Sequence, residues 1–204
     1  MKRLLLSVTL FYCICGAVAQ KMSNHVESYS LTWHDGEVIF NTGDTIACKV
    51  RFNETIAKGV LQIMEDDNIV TVVADDVSSF SFYDMQNDKL RKFTSMPLLN
   101  DKSQQKAFLE CVYDDPQFSI LKHKTLDVPY EYMNYTRLIS KPVRMSKRYI
   151  LNISTGELLP LSKENTLRLL ESRKTEITSF IEENHIRFKK VADYINVFQY
   201  HSSL

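Results

Sequence analysis

Glycine is scarce in this chain, five in 204 residues, and no Gly-rich stretch of the kind that cradles phosphate occurs. No Gly-x-Ser-x-Gly elbow marks a serine nucleophile. The five histidines, His25, His34, His123, His185 and His201, form no HxxxH, HxH or Cys–His spacing, so neither a metal nor another cofactor is expected. Charge of one sign is missing too: Lys plus Arg and Asp plus Glu both number 25. The densest basic stretch, residues 141–148, is interrupted by Pro142, Val143 and Met145 and reads as a solvated edge or loop, which excludes a nucleic-acid partner. Beyond the N-terminal segment no apolar run approaches the roughly 20 residues of a membrane-spanning helix.

Cysteine is nearly absent as well. Cys13 and Cys15 lie in an apolar N-terminal segment, where they read as apolar filler and not as a lipid-attachment signal. Only Cys48 and Cys111 remain beyond it. An even count in an exported chain admits one disulfide between them. Two buried thiols packing as small hydrophobes is the other reading, since Cys48 falls on the apolar face of its strand.

That N-terminal segment has the layout of a secretory signal. Lys2 and Arg3 precede an apolar stretch ending at Gly16, and Ala17-Val-Ala19 supplies small residues for cleavage after Ala19. The expectation is a periplasmic or secreted protein without a membrane span, starting at Gln20, with residues 20–30 as a loose leader.

What the chain does have is alternation. Glu37-Val-Ile-Phe40, Thr45-Ile-Ala-Cys-Lys-Val-Arg-Phe52, Val60-Leu-Gln-Ile-Met64, Ile69-Val-Thr-Val-Val73 and Ser79-Phe-Ser-Phe-Tyr83 are short apolar runs separated by turn residues. In the second, Ile46, Cys48, Val50 and Phe52 share one face while Lys49 and Arg51 share the other, the period of a half-buried strand. Connections this short predict antiparallel neighbours. Leu90-Arg-Lys-Phe93 and a hairpin of Ala107–Tyr113 with Phe118–Leu121 continue the series, as does a second hairpin around Ser154-Thr-Gly156. His34-Asp-Gly36 reads as a turn.

From Ser162 the period changes. Ser162 suits a helix N-cap; Leu167 and Leu170, then Ile177, Phe180 and Ile181, then Val191, Tyr194, Ile195 and Phe198 recur at helical spacing. Asn184 reads as a left-handed helix stop. Helices this short need a surface to cover. The expected fold is therefore α+β: an antiparallel meander over residues 31–160, closed as a sandwich or partial barrel, capped by two or three amphipathic helices over residues 161–204.

Chemistry is harder to find. Asp66-Asp67, Asp75-Asp76 and Asp114-Asp115 sit in predicted turns, without calcium-loop spacing, and read as turn solvation. Three sequons, at Asn53, Asn134 and Asn152, are triplets common by chance. Glu110 beside Cys111 has the wrong charge to activate a thiol. Tyr130, Tyr132 and Tyr135, crowded into one stretch, and Trp33, the single tryptophan, are the candidate binding residues, because tyrosine supplies contact area at low entropy cost. Packing accounts equally well for the tyrosines, and is the more usual role of such a tryptophan.

The segment Asp35-Gly-Glu-Val-Ile-Phe-Asn-Thr-Gly-Asp-Thr-Ile-Ala-Cys-Lys-Val-Arg-Phe52, with Phe80-Ser-Phe-Tyr-Asp84 and the ending Asp193-Tyr-Ile-Asn-Val-Phe-Gln-Tyr200, resembles uncharacterised exported β-rich proteins of Bacteroidota. The resemblance implies a periplasmic or envelope-associated protein and carries no activity. The function expected is non-catalytic binding, to another envelope protein or a cell-surface polymer. The alternative is a secreted hydrolase whose His and carboxylate come together from separate turns, His34 with Asp35 or His123 with an Asp pair. Ligand identity and oligomeric state are not written in the sequence.

Overall fold

A computed structural model describes residues 32–54, 59–98, 105–127 and 143–204. Among them the chain forms ten β-strands: β1 (His34–Phe40), β2 (Thr45–Arg51), β3 (Val60–Glu65), β4 (Asn68–Val73), β5 (Val77–Asp84), β6 (Lys89–Pro97), β7 (Lys106–Asp114), β8 (Phe118–Asp127), β9 (Val143–Asn152) and β10 (Leu158–Pro160). Helices α1 (Lys163–Leu169), α2 (Lys174–Glu183) and α3 (Val191–Ser203) follow. All pairings are antiparallel, in one sheet ordered β10-β9-β8-β7-β6-β5-β1-β2-β3-β4.

Two departures from the expected meander matter. His34-Asp-Gly36 is strand, not turn, and β1 begins three residues earlier than the apolar run suggested. More consequentially, β5 leaves its sequence neighbour β4 and pairs with β1. Gly36 permits this: a Cβ there would collide with the Ser81 backbone carbonyl of β5.

The sheet folds over on itself. Phe52, just after β2, and Phe108 on β7 are separated by four inter-strand steps, about 19 Å on a flat sheet. Their ring centroids are 5.7 Å apart. Phe52 also stands edge-on to Phe80 at 5.2 Å and Phe93 at 5.1 Å, while Phe80 and Phe93 stack at 4.7 Å. These rings, with Val38, Val50, Leu61, Ile63 and Phe82, form a core on the inner face of the arch. Aromatic contacts of this kind contribute about 0.5–1.5 kcal/mol each beyond area burial. The arch does not close into a barrel, since β4 and β10 end the sheet without pairing to each other.

The helices cover only the other end of that inner face. Phe118, Ile120 and Ile150 of β8 and β9 pack with Leu170, Ile177, Tyr194, Val197 and Phe198. A bulge between Cys111 and Tyr113 turns Tyr113 to this side, where it stacks on Phe198 at 6.3 Å. Ser162 caps α1, its hydroxyl accepting from the Asn165 amide at 3.1 Å. Asn184 ends α2, but the left-handed residue is the next one, His185 (φ 52°). No helix among the described residues is long and apolar enough to cross a membrane.

Candidate functional site

Antiparallel pairing places directly opposed residues on the same face. On the outer face the register sets Glu37 (β1) opposite Ser81 (β5), Ser81 opposite Lys92 (β6), Lys92 opposite Cys111 (β7) and Cys111 opposite Leu121 (β8). A second row runs Ile39, Ser79, Thr94. Between them lies a groove of about 400 Å³ that Asp114, Ser119 and Leu151 also line. Its floor is apolar, and its polar groups are hydroxyls and three charges: Glu37, Lys92 and Asp114. From Glu37 to Leu121 is four strand spacings, roughly 19 Å. Ser119 donates to the Asp114 carboxylate across the β7–β8 hairpin, fixing the orientation of that acid.

Behind the groove, on the inner face, the two apolar clusters are separated by buried charge. Arg91 on β6, 3% exposed, donates through Nε to Glu110 Oε1 at 2.9 Å and through Nη2 to Glu54 Oε1 at 3.0 Å. Lys124 reaches Glu54 at 2.9 Å, and Lys122 pairs with Glu110. The guanidinium lies 4.9 Å from the Phe93 ring centroid and 5.6 Å from that of Phe82. Burial alone would raise the Glu110 carboxyl. The hydrogen bonds and charges of Arg91 and Lys122 outweigh it and bring the pKa down to about 2. The network therefore ties β6, β7, β8 and the segment after β2 together.

Sequence reasoning missed this network. The signal was present: Phe108 and Glu110 share a face of β7, so a charge stands where the alternation demands an apolar side chain. The groove was missed for another reason. Its serines and threonine sit on three strands, β5, β6 and β8, that only the register brings together.

The expected site residues fare differently. Trp33 is half-buried, with the Arg51 guanidinium 4.5 Å from its ring centroid. Tyr130, Tyr132 and Tyr135 lie outside the described residues. Cys48 and Cys111 are both free thiols, on β2 and β7 with β1, β5 and β6 between them in the sheet order. Burial, then the charge of Asp114, pushes the Cys111 thiol up to about 11, which holds it protonated at neutral pH. His34 and Asp35 are neighbours on a strand and so face opposite ways. His34 is buried against Phe82, with ring centroids 4.7 Å apart, and its Nδ1 is 3.2 Å from the Tyr83 carbonyl, while Asp35 is exposed. His123 lies four residues along β8 from Ser119, roughly 13 Å from the Asp114 end. The acid pairs all fall at turns. Asp115 spends its carboxylate on the Gln117 and Phe118 amides (2.7 and 2.8 Å) and the Tyr113 hydroxyl (2.7 Å). Among the described residues no group of three or more His, Cys, Asp or Glu side chains is placed to hold a metal.

Comparison of the chain with protein-family models, with curated proteins and with solved structures finds no match.

Proposed function

We propose that this is a non-catalytic binding protein of the periplasm or cell envelope, and that its outer-face groove takes an extended chain carrying hydroxyl and charged groups. A cell-surface polymer or an exposed segment of another envelope protein fits that description. The observation that carries the reading is the lateral row Glu37–Ser81–Lys92–Cys111–Leu121, which runs from three hydrogen-bonding positions to two apolar ones across adjacent strands of one sheet. Preformed sites of this kind combine an apolar floor with a few fixed polar groups. We also read the arched sheet as a partial barrel open at β4, supported by the Phe52–Phe108 contact.

The test is retention of purified envelope polysaccharide and of solubilised envelope proteins on immobilised protein, with Ser81→Tyr/Lys92→Glu as comparison. Both side chains face the groove and Lys92 is exposed, so the fold should persist. Wild type is expected to retain one of the two classes, and the variant to lose that retention with an unchanged melting temperature. Equal retention by both proteins would remove the groove as the site.

A further inference from the structure

Among the described residues, the β4 end of the sheet is open in a way the β10 end is not. β10 is three residues long and finishes at Pro160, two features that blunt an edge. β4 is six residues long, Asn68-Ile-Val-Thr-Val-Val73, and carries no charge, proline or bulge. Ile69, Val70 and Val73 are 54%, 49% and 39% exposed.

The phase of its backbone follows from the turn. Asp66 (φ 47°) and Asp67 (φ 63°) form a two-residue loop with both φ positive, so the flanking Glu65–Asn68 pair is hydrogen-bonded. Ile63–Val70 and Leu61–Val72 are then bonded pairs as well. The N–H and C=O groups of Ile69 and Thr71 point away from β3, on the side where no described strand pairs with β4. Acid brackets the strand: Glu65, Asp66 and Asp67 precede it, and Asp75 and Asp76 follow it, all exposed. A second copy is a poor occupant. Antiparallel self-pairing about Thr71 brings Asp67 opposite the other copy's Asp75, and pairing about Val70 brings Glu65 there instead.

We propose that β4 accepts an added strand from a partner polypeptide, an extended segment with alternating apolar side chains and Lys or Arg at both ends. Main-chain hydrogen bonds to Ile69 and Thr71 supply the affinity of such strand addition, and the bracketing acids set its specificity. Asp67 and Asp75 bracket the six residues of β4, which sets about six residues between the basic flanks. This surface shares no residue with the groove, so the two readings stand or fall separately.

The experiment titrates the full chain with two labelled peptides, KKVTVTVTKK and EEVTVTVTEE, by fluorescence anisotropy, and follows amide exchange. The basic peptide is expected to bind about ten-fold or more tighter than the acidic one, and to slow exchange at the Ile69 and Thr71 amides. Thr71→Pro deletes an outward N–H without touching the β3 ladder, and should weaken binding about ten-fold while sparing the melting temperature. Should that variant fail to fold, Thr71→Lys, an exposed change, repels the basic peptide to similar effect. Equal binding of the two peptides, no binding of either, or binding insensitive to the Thr71 substitution that folds overturns the proposal. So does a concentration-dependent dimer of the wild type that Thr71→Lys abolishes, since a second copy would then hold the edge.

Discussion

Acidification should unlock the charge network before it touches the aromatic core. The Glu110 carboxyl is held at about 2 in the folded protein, against 4.5 for a free side chain. A group whose folded pKa is depressed adds stability that is complete above its unfolded value and is lost as pH falls toward the folded one. Each pKa unit corresponds to about 1.4 kcal/mol, so Glu110 contributes roughly 3 kcal/mol above pH 5 that disappears between about pH 4.5 and 2. Against a typical total of about 5–15 kcal/mol this is a large share. Glu110→Gln removes the titration and leaves Arg91, 3% exposed, short of a carboxylate. Breaking a buried pair in this way costs about 3–5 kcal/mol. The assay is urea denaturation at pH 7, 5, 4 and 3 for both proteins. Wild type is expected to lose stability steeply below pH 4.5, and Glu110→Gln to start lower and fall less steeply over the same range. If the variant matches wild type within about 1 kcal/mol at pH 7, or shows the same acid slope, Glu110 does not organise the inner face and the reasoning fails.

Other outcomes can be checked with ordinary tools. Gly36→Ala should destabilise by about 1–3 kcal/mol in a thermal melt, because β1 or β5 must shift to clear the Ser81 carbonyl. Replacing Asp66-Asp67 by Asn-Gly should raise the denaturation midpoint modestly, by about 0.4–1 kcal/mol, since that dipeptide suits a turn with both φ positive. Phe198→Ala should cost about 3–5 kcal/mol and loosen all three helices in amide exchange, because Phe198 is fully buried against Phe118 at 5.0 Å. Iodoacetamide at pH 8 should label Cys111 far more slowly in the native protein than in urea, as its thiol is pushed up to about 11. Equal labelling rates, read by mass spectrometry, would contradict that shift.

Local pattern alone determined a good deal of this protein. Each of the ten strands contains a run legible from alternation or hairpin signals, and the switch to helical spacing at Ser162 marks where α1 begins. Period-two and period-3.6 stripes are properties of adjacent residues, so a linear reading captures them. Turn chemistry was legible for the same reason, as at Asp66-Asp67 and Asp75-Asp76.

Only the tertiary structure decided where the meander breaks. Pairing β5 with β1 instead of β4 depends on Gly36 admitting a close backbone approach and on Phe52 reaching across to Phe108. Neither is visible in sequence spacing, because both join residues dozens of positions apart. The groove and the charge network share that origin. Ser81, Lys92 and Cys111 become one row, and Glu54, Arg91 and Glu110 one cluster, only through register and the arch of the sheet. The separation of His34 from Asp35 has a simpler cause: in a strand, neighbours face opposite ways, and the residues that touch are the ones opposed across the ladder.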